Sequence, residues 1–452
     1  MFGVSLRARQ ALTALAGLAI VGATPVRAEG DFKFSGSSRV RYETIDGQAR
    51  PGFNGSDALV NFRTILRAEY DTDGIHAVAE IFDSRAYGYK NGTPVSTNEA
   101  DALEPVQAYV TGDINNPFGA DTKVTLTAGR MMLNVASRRL VAADDYRNTT
   151  NGYTGLIADM HGPDGWKSTL MYMLPQERLP DDPQRMRDTV IRLDKESFDL
   201  VLWGGVVSKD NVLGAAMAEA TYYRFDERDA LGRLTRDRAL DTFGARLIVE
   251  PQVGAFDYEI ETFFQTGEIS VSAAPNAARI PVGASFNHAD VGYTFDDSAQ
   301  TRLSVEFDRA SGDKPGGGYG RFDTLFGMRR ADFAPSGLYA TVHRANIASP
   351  GIRIEATPSK RLDWMATYRA LWLDDARDIF STSNVRDATG KSGAFAGHQV
   401  EGRIRYWLVP ALFRLEFDGV LLDKGRFLHD APNAPKTGDW TTYLSFNATV
   451  VF

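Results

Sequence analysis

The chain has 452 residues, no cysteine, 42 Gly, 26 Phe, 17 Tyr and 6 Trp, with 58 acidic against 50 basic side chains. The absence of thiols excludes disulfides, cysteine nucleophiles and Cys-ligated zinc or iron-sulfur sites, and a formal charge of −8 argues against nucleic acid as a partner. A mean hydropathy of −0.27 looks too polar for a membrane protein, yet a β-barrel holds its apolar residues at alternate positions and fills its lumen and loops with polar ones, so the average misses it.

At the N-terminus, Arg7 and Arg9 precede an apolar run from Ala11 to Ala23, and Val26-Arg27-Ala28 offers small residues for cleavage before Glu29. Residues 1–28 read as a secretory signal peptide and 29–452 as one outer-membrane domain, whose formal charge falls from −8 to −11 once Arg7, Arg9 and Arg27 are removed. The apolar run is too short for a spanning helix, and no later stretch reaches the roughly 18 to 20 apolar residues such a helix needs. A secreted soluble β-protein would carry the same leader; the strands decide between them.

The first strand is predicted at Phe32 to Tyr42, with Phe34, Val40 and Tyr42 toward lipid and Lys33, Arg39 and Arg41 inward. In the second, Ala58 to Tyr70, Val60, Phe62, Leu66 and Tyr70 oppose Asn61, Arg63, Arg67 and Glu69. Further segments fall at 75–82, 104–111, 123–130, 153–160, 166–174, 198–207, 214–225, 242–249, 256–265, 283–295, 301–308, 352–357, 362–371, 398–409 and 411–421. The last, Thr441 to Phe452, alternates strictly: Leu444, Phe446, Ala448, Val450 and Phe452 share one face, Tyr443, Ser445, Asn447 and Thr449 the other. Its closing Phe452 is the feature expected to be read by the barrel-assembly machinery. Connections are alternately short and long, as outer-membrane barrels require when both termini lie on the periplasmic side, and this demands an even strand number. Eighteen strands meet that demand. A nineteenth at Leu338 to Ile347 would break it, so that stretch is assigned to a long segment, 309–351, as a candidate to fold into the lumen. The expected fold is therefore all-β: a transmembrane antiparallel barrel of about 18 strands in the outer membrane of a Gram-negative bacterium, in contact with lipid and lipopolysaccharide.

Barrels of 16 to 18 strands enclose an aqueous channel, and the inward face here is highly charged. Basic candidates include Lys33, Arg39, Arg41, Arg63, Arg67, Arg130, Arg353, Arg403, Arg405 and Arg414. Most are expected to pair with carboxylates on neighbouring strands. Arg403 and Arg405 stand two apart on one strand and project from one face about 7 Å apart, Arg39 and Arg41 repeat this on the first strand, and Arg63 and Arg67 lie on the second. Closure brings the first strand beside the last, so these positions predict an arginine-lined sector able to follow a carboxylate-bearing polymer. The opposing reading makes them ladder partners of Glu69, Glu401 and Glu416.

Gly129-Arg130 at a strand end, Arg138-Arg139-Leu140, Asp144-Asp145-Tyr146-Arg147-Asn148 before Gly155, then Arg321-Phe322-Asp323-Thr324-Leu325-Phe326 and Ala345-Asn346-Ile347 together resemble the alginate export family of outer-membrane barrels. The resemblance spans most of the mature chain. It implies a monomeric barrel whose arginine-rich pore passes an anionic uronate polysaccharide by diffusion, with pore arginines at Arg67, Arg130, Arg403, Arg405 and Arg353. One departure stands out. Dedicated exporters of the family carry an extended periplasmic turn near the C-terminal end that covers the pore, whereas Leu408-Val409-Pro410-Ala411-Leu412 leaves almost nothing, which favours a porin admitting sugars or small anions.

Other segments yield no site. Gly316-Gly317-Gly318-Tyr319-Gly320 lacks the Lys-Ser/Thr of a phosphate loop and reads as a hinge. The acidic pairs Asp144-Asp145, Asp181-Asp182, Asp296-Asp297 and Asp374-Asp375 suit calcium chemically but lack the spacing of a known loop, so no metal or cofactor is assigned. The six histidines are scattered outside any nucleophile signature, which argues against an enzyme. An adhesin scaffold built on the long loops would predict a blocked pore.

Overall fold

The computed structural model describes residues 30–452 apart from 73, 231, 330 and 331; the signal peptide expected at 1–28 lies outside the described residues. Among the described residues, eighteen antiparallel strands form one sheet that closes on itself. They are β1 (Asp31–Asp46), β2 (Ser56–Thr72), β3 (Ile75–Tyr87), β4 (Asp101–Asn115), β5 (Lys123–Met131) and β6 (Tyr153–His161). Next come β7 (Trp166–Pro175), β8 (Leu200–Leu213), β9 (Ala216–Glu227), β10 (Ala239–Val249), β11 (Phe256–Ser270) and β12 (Arg279–Thr294). The last six are β13 (Arg302–Ala310), β14 (Ile347–Ser359), β15 (Leu362–Trp372), β16 (Phe395–Val409), β17 (Phe413–Lys424) and β18 (Trp440–Val451). Every predicted segment overlaps one of these.

Closure is made by β1 on β18, from Ser37 opposite Val451 to Asp46 opposite Thr442, and Phe452 extends it by exchanging backbone hydrogen bonds with Gly36 at 2.7 and 3.0 Å. A closed ring leaves no unpaired strand edge, the condition for a sheet to live in hydrocarbon. The alternation of β18 divides as expected, with Leu444, Phe446 and Val450 outward and exposed and Tyr443, Ser445 and Asn447 inward and buried. Aromatic residues mark both rims of the outer wall: Phe32, Trp166 and Phe256 at the short-turn end, Tyr87, Trp372 and Trp440 at the long-loop end, all exposed. No helix among the described residues is long and apolar enough to cross a membrane.

Two boundaries shift in ways that matter. β14 begins at Ile347 rather than 352, taking that residue from the expected lumen segment, and β8 continues to Leu213, which shortens its turn to residues 214 and 215. The turn between β16 and β17 is three residues, Pro410-Ala411-Leu412, with Ala411 at φ 60°.

The lumen is not lined by polar side chains throughout, contrary to the expectation from alternation alone. Tyr153, Met173, Leu202, Phe225 and Phe286 point inward and are at most 1% exposed, because two long loops, 132–152 and 311–346, enter the barrel and cover them. Phe326 packs edge-on against Tyr153 and Phe225 with ring centroids 5.6 and 5.7 Å away, and Phe322 stacks on Phe286 at 5.6 Å. The loops bind each other through a short parallel bridge, Phe326 N donating to Leu140 O at 2.9 Å and Ala142 N to Phe326 O at 3.2 Å. Loop 311–346 then crosses to β1, five strands around the ring from β14, where Leu338 N donates to Glu43 Oε2 at 3.1 Å. Apolar surface withdrawn from water on both partners holds this inner layer, at roughly 25 cal/mol per Å². Of the candidate segment 309–351, residues 311–346 enter the lumen.

Candidate functional site

Arg39 on β1 and Arg63 on β2 are direct cross-strand partners, an arrangement that like charges disfavour. Loop 132–152 makes it tenable. Arg39 donates to Arg147 O at 2.7 Å and Asp145 O at 3.3 Å, and Arg63 donates to the same two carbonyls at 3.1 and 3.3 Å. Carbonyl oxygens meet the terminal N–H groups of both guanidiniums without cancelling their charge. Two residues along β1, Arg41 is consumed in anchoring the loop: it donates to Tyr146 O at 2.5 Å, lies 4.3 Å from the Tyr146 ring centroid and pairs with Glu43 at 3.4 Å. The Tyr146 hydroxyl in turn sits 2.7 Å from that of Tyr443 and 2.9 Å from Ser445 Oγ.

Across the β1–β18 seam, Arg403 and Arg405 of β16 both pair with the Asp363 carboxylate, at 3.3 and 2.8 Å. Arg414 of β17 lies 3.7 Å from Glu416 and over the Trp407 ring at 5.6 Å. With Arg39, Arg63 and Arg138 these three surround a cavity of about 300 Å³ in the lumen, whose acidic lining among the described residues is Asp145 and Glu416. Six guanidiniums against three carboxylates, Asp145, Asp363 and Glu416, can hold a carboxylated or otherwise anionic solute by charge-assisted and bidentate hydrogen bonds.

The structure brings together Arg39, Arg63, Arg403 and Arg405 of the sequence-predicted set and places the others apart. Arg67 is clasped by Glu69 at 2.5 Å and Glu80 at 3.2 Å. Arg130 sits near the long-loop end with Glu104 at 2.5 Å and Glu196 at 2.8 Å. Arg353 pairs with Glu355 at 3.0 Å and Glu306 at 3.9 Å on the far wall. Arg138, not singled out as a pore residue from sequence, joins the cluster, while its neighbour Arg139 turns the other way to Glu261 at 2.6 Å and Asp332 at 2.9 Å. Burial alone would raise the Asp332 carboxyl, but Arg139 and Arg344 hold it well below the usual carboxylate range.

A closed eighteen-strand barrel with short turns at one end, long loops at the other and loops folded into a charged lumen is an outer-membrane channel. The chain belongs to the alginate export family, whose description, "Alginate export", matches residues 31–440. No curated protein matches it by sequence. Among solved structures it is similar to a BenF-like porin from Pseudomonas fluorescens Pf-5, with a TM-score of 0.61 and 12% identity over 93% of this chain and 98% of that one. It is also similar to Pseudomonas aeruginosa OccK8 (OprE), TM-score 0.57 and 11% identity over 93% and 98%. A third is Pseudomonas aeruginosa OccK2 (OpdF) in complex with glucuronate, TM-score 0.56 and 11% identity over 94% and 99%. At these identities the likeness establishes a shared fold. Family and barrel together point to transport rather than catalysis.

Proposed function

We propose that this barrel passes an anionic polysaccharide or oligosaccharide of the alginate-like uronate class by passive diffusion, guided by the arginine cluster, as a monomer in the outer membrane of a Gram-negative bacterium. The carrying observation is the cavity bounded by Arg39, Arg63, Arg138, Arg403, Arg405 and Arg414, in which six guanidiniums outnumber the carboxylates of Asp145, Asp363 and Glu416 and two of them rest on backbone carbonyls. Guanidinium pairs spaced along a wall suit repeating carboxylates, each of which can exchange one fork for the next. Lipopolysaccharide surrounds the aromatic rims, and the C-terminal Phe452, 56% exposed, remains accessible to the assembly machinery.

One observation favours a second reading, uptake of small anions or acidic sugars. The Pro410-Ala411-Leu412 turn is too short to cover the pore, and loop 311–346 narrows the lumen from the other end. The glucuronate bound to OccK2 is a single uronate unit, so the same arginine chemistry serves either cargo and length separates them.

Planar-bilayer recording with reversal potentials in a salt gradient tests the proposal, comparing wild type with Arg403→Ala/Arg405→Ala. Anion selectivity with block by oligouronate but not by neutral oligosaccharide is expected, reduced several-fold in the double variant, which also exposes Asp363. An open pore indifferent to both sugars and to the substitutions would refute it. Block by a single uronate but not by a longer oligomer would select the uptake reading.

A further inference from the structure

A second charged cluster, remote from the arginines, has the opposite imbalance. Asp101 opens β4, Glu104 lies three residues on, and Asp194 comes from loop 176–199; they are 4%, 0% and 8% exposed, and one carboxylate oxygen of each lies within 4.8 Å of the others. Residues three apart on a regular strand face opposite ways. Here a register shift against β3, with Leu103 at φ 56°, turns Asp101 and Glu104 to the same side.

The nearby cations are already engaged. Arg130 is divided between Glu104 and Glu196, and Arg178 spends its guanidinium on Thr150 O, Asn151 Oδ1 and Asn98 Oδ1 at 3.0, 2.8 and 3.0 Å. Asp101 Oδ1 is sealed from solvent and meets no hydrogen-bond donor among the described residues. A buried carboxylate oxygen without a partner costs the full desolvation penalty. Glu104 accepts from Arg130 and from Asp194 N at 3.0 Å, and Asp194 Oδ1 from Leu179 N at 2.8 Å, so the unmet charge is that of Asp101; in the cluster of His288, Asp308 and Asp332, by contrast, both carboxylates are met by Arg139, Arg344 and Arg369.

We infer that Asp101, Glu104 and Asp194 form the protein ligands of a hard divalent cation, Ca²⁺ before Mg²⁺, that ties loop 176–199 to the wall of β4. An all-oxygen, carboxylate-rich set without His or Cys selects such ions, and its irregular geometry suits the larger one. The site is independent of what the channel carries.

Equilibrium dialysis of the full barrel, refolded without lipopolysaccharide and stripped with EGTA, against Ca²⁺ alone tests this. One tightly held ion per chain is expected, lost in Asp101→Asn/Asp194→Asn. No bound ion in wild type at millimolar Ca²⁺, or undiminished binding in the variant, overturns the inference. Asn relieves the charge repulsion, so the variant is expected to fold; should it fail, wild type decides alone. Ca²⁺ must then protect Arg185, Arg187 and Arg192 of loop 176–199 from an arginine-specific protease, and equal cleavage in Ca²⁺ and EGTA overturns the site.

Discussion

Two walls of one lumen use the same residue to opposite ends. On the β11 to β15 side, Arg139 meets Glu259, Glu261 and Asp332, Arg302 meets Asp257 and Asp290, and Arg369 meets Glu306 and Asp308. Each guanidinium there is matched by two or more carboxylates. On the β1, β2, β16 and β17 side, Arg39 and Arg63 rest on backbone carbonyls, Arg403 and Arg405 both turn to Asp363, and Arg414 lies beside Glu416. Arginine count therefore says little about the potential a solute meets; the kind of acceptor decides it. Carboxylates turn arginine into a fastener, whereas carbonyls hold it in place and leave its charge available.

Breaking the fastener should give the largest effect. Asp332 pins the inserted loop 311–346 by receiving Arg139 and Arg344 at once, at 2.9 and 2.7 Å, with all three side chains at most 5% exposed. Asp332→Ala leaves the buried Arg344 without a carboxylate among the described residues, while Arg139 keeps Glu259 and Glu261; cutting a buried pair in this way costs on the order of 3–5 kcal/mol. The loop is expected to leave the lumen, giving a lower melting temperature and a single-channel conductance raised several-fold. Unchanged conductance would show that the apolar packing of Phe322, Phe326 and Phe333 holds the loop without the ion pairs.

The next change converts one wall into the other. Thr449 of β18 stands directly opposite Arg39 on β1 and Arg414 on β17 and lines the arginine cavity. Thr449→Glu places a carboxylate between two arginines and so imitates the far wall. Stability should change little, while the anion-to-cation permeability ratio is expected to fall several-fold in reversal-potential measurements. A ratio that does not move would remove the cluster from the permeation path.

These contrasts also mark what the sequence could convey. Strand number and closure were legible because period-two alternation is local, and β18 carries it through Leu444, Phe446 and Val450. The start of β14 was not, since Ile347-Ala348-Ser349-Pro350-Gly351 has no period and a proline where a ladder donor is expected. The apolar inner layer did leave a trace. Leu200-Val201-Leu202-Trp203 and Met171-Tyr172-Met173-Leu174 are unbroken apolar runs, the mark of a strand covered on both faces. The fate of each arginine was illegible, because acceptors arrive from distant loops: Arg138 and Arg139 are neighbours in sequence and part to opposite walls.

The smallest effect concerns a carboxylate in the reverse situation, held by neutral donors. Glu99, in the loop between β3 and β4, is 4% exposed and accepts from Ser96 N at 2.8 Å and Ser96 Oγ at 2.9 Å. Burial, reinforced by repulsion from Glu43, lifts it from its ordinary 4.5 to about 7. The folded loop thus binds the proton more tightly than the unfolded chain, so its contribution to stability is complete below pH 4.5 and is lost as pH rises through 7. Hydrogen-exchange protection of residues 88–100, corrected for intrinsic rates, is expected to fall between about pH 5 and 8 in wild type. In Glu99→Gln, which keeps the shape and removes the charge, the profile should be flat and the loop more stable at pH 8 by about 1–3 kcal/mol. A flat wild-type profile would mean that Arg50, the cation whose field reaches Glu99, neutralises it, placing this loop with the fastening wall.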